Sequence, residues 1–462
     1  ASRGPDALHS IHIGVLTLTA SVLHLRGPDI VKQPLEQDHG VLLWNGEIWH
    51  VHGTTLDEHL NDTLFLSKAL DATDDEGLLH LFGSLRGPFA FCYWNKAKRH
   101  LWYGRDILGR RSLLIKHTKD GFILSSVAGR DPSWKTVEPG LYRFDATSGK
   151  TDLFPWQPYD SDGPLACYYP PVNPTKIHID LPLDDHHLEA LERHIQQALK
   201  VRAASLADRD LAIMYSGGVD CAVLAYYVDT LLPHDISVDL INVSFENPRS
   251  LKGSVDLYTT PDRLTGLQGY KELRQRCPHR HWRFVCVNVP YAEALAAKET
   301  VLELMYPNES VMDYSIALAF YFCARGKGFV DDEAYETQAK VFISGLGADE
   351  LLGGYSRHKR AAEQGHDALI AELQQDLDRL PSRNLGRDDR VISHFGREVR
   401  WPFLDESLVR HLAALPVSVK MQHAVPGGDK LLLRQLAIKI GLPKAAAEAK
   451  RAIQFGSRSA KM

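Results

Sequence analysis

No stretch of the chain is apolar for long enough to cross a bilayer. No charged-apolar-small pattern opens it, so neither a membrane span nor a secretory leader is expected. Cysteine is scarce and scattered: Cys92, Cys167, Cys221, Cys277, Cys286 and Cys323 form no CxxC and have no histidine partner at zinc spacing. Such a set reads as reduced core thiols in a cytoplasmic protein. Basic charge is not in excess either, since 53 Lys and Arg against 58 Asp and Glu leave a formal charge of −5. Nucleic acid is therefore not expected as a main partner. GxxxxGK[ST] is also missing, which excludes the P-loop of ordinary NTPases. What is present is the composition of a soluble globular protein, 44% hydrophobic and 24% charged over 462 residues. That length calls for two or three domains.

The most informative stretch is Leu211-Ala-Ile-Met-Tyr-Ser216-Gly217-Gly218-Val219-Asp220-Cys221. An apolar run of strand character stops at Ser-Gly-Gly, and Val223, Leu224, Tyr227, Val228 and Leu231 then recur at helical spacing. Two glycines let the backbone turn sharply and approach an anion closely. The helix start behind them adds partial positive charge and unpaired N–H donors. Ser216 can donate a hydroxyl, and Asp220 is placed to hold Mg²⁺ against phosphates. The alternative is a plain Gly-Gly turn between strand and helix.

Two halves of different character surround this motif. Ile11 to Leu25, Phe89 to Trp94, Leu101 to Gly104, Leu113 to Ile115, Phe122 to Leu124 and Leu141 to Phe144 read as short strands with turn residues between them. Helices are expected from Thr55 to Leu70 and from Glu76 to Phe82, so stacked antiparallel sheets are expected for residues 1–155. Proline and aspartate accumulate from Thr151 to Pro182, and residues 156–184 read as a linker. From 185 to 462 strands alternate with helices: a helix Asp185 to Leu206, strands at Leu211 to Tyr215, Val238 to Phe245, Phe284 to Val289 and Val341 to Ser344, and a helix Ser310 to Arg325 closed by glycine. That alternation predicts a doubly wound parallel sheet, with ligands at the carboxyl ends of its strands. Ser216 and Ser344 both fall there.

Ser344-Gly345-Leu346-Gly347-Ala348-Asp349-Glu350, followed by Gly353-Gly354-Tyr355, repeats the logic of the first site. Adjacent carboxylates are costly to bury unless they hold a cation. A solvated acidic pair at a helix start is the plainer account of Asp349 and Glu350 taken alone.

The first motif resembles the SGGxDS signature of PP-loop ATP pyrophosphatases. With the second, it is similar to the asparagine synthetase (glutamine-hydrolysing) family. Arg400-Trp-Pro-Phe-Leu-Asp405, Lys430-Leu-Leu-Leu-Arg434 and Lys450-Arg-Ala-Ile-Gln-Phe455 fall where that family has RxPFLD and its late basic motifs. Trp44-Asn-Gly-Glu-Ile48, Asn61-Asp-Thr63 and Gly104-Arg-Asp-Ile-Leu-Gly109 match its first half. Thr260-Pro-Asp-Arg-Leu-Thr-Gly266, Tyr355-Ser-Arg-His358 and Gln454-Phe-Gly-Ser-Arg458 bring the chain to a divergent eukaryotic branch.

The resemblance implies a two-domain α/β architecture: an Ntn-type αββα glutamine amidotransferase sandwich and a PP-loop synthetase domain. It implies ATP and Mg²⁺, with glutamine and an aspartate-like carboxylate as substrates, and leaves a homodimer open. Asn45 and Gly46 would form the oxyanion hole. Arg26, Asn45, Glu47 and Asp62 would bind glutamine, Arg26 through its carboxylate. Ser216, Gly217, Gly218, Asp220, Cys221, Ser344 and Gly345 would bind ATP, with Asp220, Asp349 and Glu350 on the metal.

Three departures accompany the match. The family's leading cysteine is not in the chain, which begins Ala1-Ser-Arg3-Gly-Pro-Asp6, so glutamine hydrolysis is expected to be inactive in the chain as given. Leu346 stands where SGExxDE has a catalytic glutamate, and Ala452 occupies the lysine slot of the late motif. Lys450 and Arg451 are near, on another face if the segment is regular. Three readings follow: an amidotransferase enzyme, a nucleotide-binding pseudoenzyme with a scaffold or regulatory role, and another PP-loop enzyme of thiolase or lactam-forming type. The NGEI half argues against a thiolase.

Overall fold

Side chains alternate across a strand, and Phe89, Phe91 and Tyr93 alternate with Ala90, Cys92 and Trp94 along the strand Phe89–Asn95. Both sets are apolar because both faces of this strand are covered. On one face the aromatics pack with Leu42, Trp44, Trp102 and Leu141 against Leu66, Leu70, Leu78 and Phe82 of two helices. On the other, Ala90 and Trp94 pack with Val41, Leu101 and Tyr103 against Leu18, Leu113 and Val137 of smaller β elements. The computed structural model describes residues 2–57, 59–179, 181–203, 210–246 and 257–462.

The central sheet of this first unit has six antiparallel strands in the order Lys150–Phe154, Gly140–Asp145, His100–Arg105, Phe89–Asn95, Gly40–Gly46, Leu35–Glu36. The expected long strand Ile11 to Leu25 is a hairpin, Ala7–Ile13 with Leu16–Val22, turning at Gly14 with φ of 59°. The helix expected from Thr55 begins only at Asp62, because Asn61 caps it by accepting from Leu64 N at 3.1 Å, and Thr54–Thr55 is a short strand. Asp74 caps the second helix, Asp75–Ser84, by accepting from Gly77 N.

The unit comprises Ala1–Tyr168 together with Glu303–Asn308 and Arg379–Arg397. Buried polar side chains hold these later segments in it. Arg390 donates to Leu304 O, Met305 O and Ser112 Oγ. Asp389 accepts from Arg3, Arg111 and Ser112 N. No local pattern in the sequence marks this exchange.

The second unit comprises Tyr169–Leu302, Glu309–Asp378 and Glu398–Met462. Its seven-stranded sheet runs Glu333–Glu336, Lys327–Val330, Trp282–Val289, Val238–Phe245, Leu211–Met214, Val341–Ile343, Glu398–Arg400. The last five are mutually parallel, and the first two form an antiparallel edge. Leu211–Met214 and Val238–Phe245 are buried at every residue, as strands covered by helices on both faces require. Chain order reverses between Leu211–Met214 and Val341–Ile343, the switch point at which open parallel sheets bind ligands. The helix expected from Asp185 to Leu206 is described as Asp185–Ala203, and its last three expected residues lie outside the described residues. Ser310 and Gly326 cap the helix Val311–Arg325 at its two ends.

The stretch read as a linker is tied down by hydrogen bonds. Gln157 N donates to Leu165 O within the first unit, and Asn173 bonds Ala413 O and Ala414 O within the second. Among the described residues no helix is long and apolar enough to cross a membrane.

Candidate active sites

In the first unit Asn45 and Gly46 end a strand and pair with Ala90 and Phe89, so Asn-Gly is no hairpin turn here. A side chain at Gly46 would lie 2.4 Å from Pro88 O, which leaves room for glycine alone. Asn45 Nδ2 is buried and makes no hydrogen bond, an unused donor at a strand end.

The Ile48 peptide ties two of the expected glutamine-binding residues together. Arg26 Nη1 donates to Ile48 O at 2.6 Å, and Ile48 N donates to Asp62 Oδ2 at 3.2 Å. Arg26 Nη2 also donates to Leu56 O and Asp57 O, and Glu47 lies 3.9 Å from Nη1. Trp44 Nε1 donates to the same Asp62 oxygen. Burial pushes the Asp62 carboxyl up, and the Arg26 charge opposes that shift. Arg26, Asn45, Glu47 and Asp62 thus fall in one neighbourhood, with Arg26 and Asp62 held by the protein's own backbone.

In the second unit the Ser216-Gly217-Gly218 turn is pinned from beneath. Gly217 has φ of 80°, a left-handed conformation suited to glycine. Thr265 Oγ1 donates to Ser216 O and Asn242 Nδ2 donates to Tyr215 O. The helix Pro261–Arg276 carries interior glycines at 266 and 269, each unfavourable by about 1 kcal/mol relative to alanine. A Cβ at Gly269 would lie 2.8 Å from Tyr215 Oη and 3.2 Å from Gly217 Cα, so its absence lets the turn rest on the helix. Gly218 caps the helix Val219–Leu231 without a side chain. The Cys221 thiol donates to Gly218 O and lies 3.8 Å from Ser216 Oγ, filling the serine position of the motif without breaking the turn.

Ser344 follows the neighbouring strand, and its Oγ accepts from Leu346 N. A Cβ at Gly345 would lie 2.9 Å from Asp220 Cβ, so the two strand-end turns touch. Lys430 stands between their acids. Its Nζ is 2.5 Å from Asp220 Oδ2 and 2.6 Å from Asp349 Oδ1. Lys450 bonds Asp349 Oδ2. The two lysines hold the Asp349 carboxyl far below its usual range against a large desolvation, and the two aspartates hold the buried Lys430 ammonium protonated. Glu350 turns to another partner, accepting from Tyr355 Oη at 2.6 Å, and burial raises its carboxyl.

Ser216, Gly218, Asp220, Asp262, Lys430, Lys450 and Arg451 line a common cleft. A regular segment would put Lys450 and Arg451 on another face from Ala452. They reach the cavity because residues 448–452 are irregular and keep no helical face.

Mg²⁺ was expected on Asp220, Asp349 and Glu350. Among the described residues no group of three His, Cys, Asp or Glu side chains is placed to hold a metal by itself, these three included. The donors nevertheless fit one. Asp220 Oδ1 is buried without a hydrogen-bond partner beside a phosphate-type turn, and Mg²⁺ commonly takes one or two carboxylates and completes its shell with phosphate oxygens and water.

Sequence reasoning missed the bridge made by Lys430 and left Asp262 without a role. Both lay in strings singled out for resemblance, and neither string carries a local sign of its partner.

Family models match both halves of the chain. The asparagine synthase family model matches residues 190–370 and 361–461, and a glutamine amidotransferase domain model matches 22–129. Asparagine synthetase domain-containing protein 1 of Mus musculus is 34% identical over 100% of this chain and 92% of its own length. Asparagine synthetase domain-containing protein YML096W of Saccharomyces cerevisiae is 34% identical, covering 100% and 87%. The glutamine-hydrolysing asparagine synthetase of Homo sapiens is 23% identical over 94% and 76%. With full-length similarity at this level, and with both half-chain motifs set at the strand ends of an Ntn-type sandwich and a doubly wound sheet, the chain belongs to the asparagine synthase family.

Proposed function

We propose that the chain is an ATP-dependent amidotransferase that adenylates a carboxylate substrate, aspartate by family resemblance, and amidates it with ammonia from glutamine in the cytoplasm. The observation that carries this reading is the Asp220–Lys430–Asp349–Lys450 array beside the Ser216–Gly218 turn in one cavity.

The substrate carboxylate attacks the α-phosphorus of ATP, and pyrophosphate leaves with the bonding electrons. Ammonia then attacks the acyl carbon, AMP leaves, and the nitrogen loses a proton. Negative charge accumulates on the departing pyrophosphate, so the chain must supply cations there. Lys430, held protonated by Asp220 and Asp349, and Lys450, paired with Asp349, are positioned to exchange part of that pairing for phosphate oxygens. The backbone N–H groups at the start of Val219–Leu231 add donors. Mg²⁺, held by Asp220 and Asp349, would supply further charge neutralisation when bound. In the first unit, Asn45 Nδ2 is a donor for a tetrahedral oxyanion.

Mg²⁺-dependent ATP binding tests the reading. A ligand at a hundred times its dissociation constant stabilises the fold by about 2.7 kcal/mol, roughly 5–10 °C for a domain of this size. Melting should rise accordingly with ATP and Mg²⁺, and Asp220→Ala should lose most of the rise. No rise at millimolar ATP overturns the reading.

Leu346 and Ala452 favour a second reading, a nucleotide-binding pseudoenzyme. Neither side chain can bear charge, and loss of one catalytic group commonly lowers a rate by about 10²–10⁴. Asparagine formation from aspartate, ATP and ammonia should then be at background in the parent and gained by Leu346→Glu with Ala452→Lys. Family-like turnover by the parent excludes the pseudoenzyme.

A further inference from the structure

Lys450 comes from residues 448–452, an irregular segment that gives its side chain no helix to lie along. A long lysine on such a backbone keeps one position only if its head group has fixed partners. Two are present among the described residues. One is Asp349, already shared with Lys430. The other is uncharged: the Lys450 ammonium lies 5.5 Å from the centroid of the Tyr355 ring, within the range of a cation–π contact.

Tyr355 is itself held from several directions. Its Oη donates to Glu350 Oε1 at 2.6 Å. Its backbone N lies 3.3 Å from His358 Nδ1. A peptide N–H can only donate, which assigns the His358 proton to Nε2, 2.8 Å from Asp376 Oδ2. The Arg357 guanidinium lies 4.0 Å from the centroid of the same ring, and its Nη2 donates to both Asp376 oxygens at 2.6 Å. Asp376 is buried on the helix His366–Arg383. The ring is therefore a surface fixed by a neighbouring helix, and the flexible lysine rests on it.

The two partners of Lys450 differ in what happens when phosphate arrives. Asp349 competes with phosphate, because both are anions that pair with the same ammonium. An aromatic ring attracts the ammonium through its quadrupole and carries no net charge. It neither repels phosphate nor has to be displaced by it. Lys450 can release Asp349 and still keep its place.

We propose that Tyr355 is a positioning residue, whose ring holds the Lys450 ammonium in the cleft while Lys450 exchanges Asp349 for phosphate. This rests on the nucleotide reading given above and deepens it by adding a residue that acts through Lys450. No covalent step is involved.

A series of rings at position 355 tests this in the full chain, read by calorimetry of a non-hydrolysable ATP analogue with Mg²⁺. Tyr355→Phe keeps the ring and serves as the reference. Its mono-, di- and trifluoro forms keep the ring while draining its face of electron density. Analogue affinity should fall with each fluorine, by roughly five-fold from phenylalanine to the trifluoro form, the scale of one cation–π contact. Tyr355→Leu, which has no ring, should fall as far. Lys450→Met should weaken the analogue by about ten-fold, the loss of one charged hydrogen bond. In that background the fluorine series should be flat, because the two groups act as one unit. A role of Tyr355 in folding alone would neither follow the fluorine count nor vanish with the lysine.

Equal affinity across the series with Lys450 present overturns the proposal, as does a fall of the same size in the Lys450→Met background. Full analogue affinity in Lys450→Met overturns it as well. The fluorinated forms differ from the reference only at the ring edge, so the comparison stands even where Tyr355→Leu fails to fold. Failure of the analogue to bind the parent chain refutes the nucleotide reading itself and is read first. Binding with a flat series refutes the role of Tyr355 alone.

Discussion

The two candidate sites hold their charges in different ways. In the amidotransferase pocket Arg26 donates to backbone carbonyls at Ile48, Leu56 and Asp57, and Asp62 accepts a backbone N–H and an indole N–H. In the candidate site of the second unit Asp220, Asp349, Lys430 and Lys450 hold one another. Groups tied to backbone keep their geometry whether or not a ligand is present. Groups tied to mobile counter-ions can trade them for phosphate or metal, because one charged partner replaces another. The first pocket is built as a mould and the second as an exchangeable ionic array.

The largest effect expected from this contrast is at Lys430. It is almost fully buried between two acids, and removing one partner of a buried ion pair typically costs about 3–5 kcal/mol. Lys430→Met should lower chemical or thermal stability on that scale. If Mg²⁺ takes the vacated position between Asp220 and Asp349, the loss should shrink when Mg²⁺ is added. An unchanged melting curve would break the distinction between mould and array.

Asp262 sharpens it from the opposite side. Burial pushes its carboxyl up to about 7, against the lowering effect of Arg451 and Lys450. The folded chain therefore binds this proton more tightly than the unfolded chain, and between about pH 4 and pH 7 stability falls as pH rises. The term is at most about 4 kcal/mol for a shift of this size. Asp262→Asn should stabilise the ligand-free protein at pH 8 and leave it nearly unchanged at pH 4. Denaturation at the two pH values checks this.

A smaller effect is expected in the first pocket. Asp62→Ala removes the acceptor of Trp44 Nε1 and Ile48 N, a loss of about 2–3 kcal/mol. Because the pocket is held by backbone, added Mg²⁺ or ATP should not restore it. The smallest effect concerns Gly269→Ala. The gain in helix propensity, about 1 kcal/mol, should be cancelled or reversed by the contacts with Tyr215 and Gly217. A net gain in melting temperature would show that the turn does not rest on this helix.

Local chemistry made much of this readable. Ser-Gly-Gly between an apolar run and a helical pattern marks a strand-turn-helix unit, and the apolar alternation of Phe89 to Trp94 marks a strand. The helix from Asp62 was displaced because its start depends on Asn61 reaching Leu64 N, whereas the apolar residues before it belong equally to short strands. The place of Lys450 hung on whether its segment is regular, and residues 448–452 are irregular. Asp262 lies in the first turn of its helix, a position that favours acids for the dipole alone, so its residue type gives no local sign of a further role.

The sequence by itself determined the two halves of different character, the alternation of strands and helices in the second, the Gly-rich turns at Ser216 and Ser344, and the family. Each of these depends on residues close together in the chain. The tertiary structure alone decided which charges meet. Lys430 lies 210 residues from Asp220 and Lys450 lies 101 from Asp349, and no periodicity or motif encodes such a pairing. It also decided which acid is buried with only a distant counter-ion, Asp262 with Arg451 at 3.8 Å, because desolvation depends on everything packed around a carboxylate.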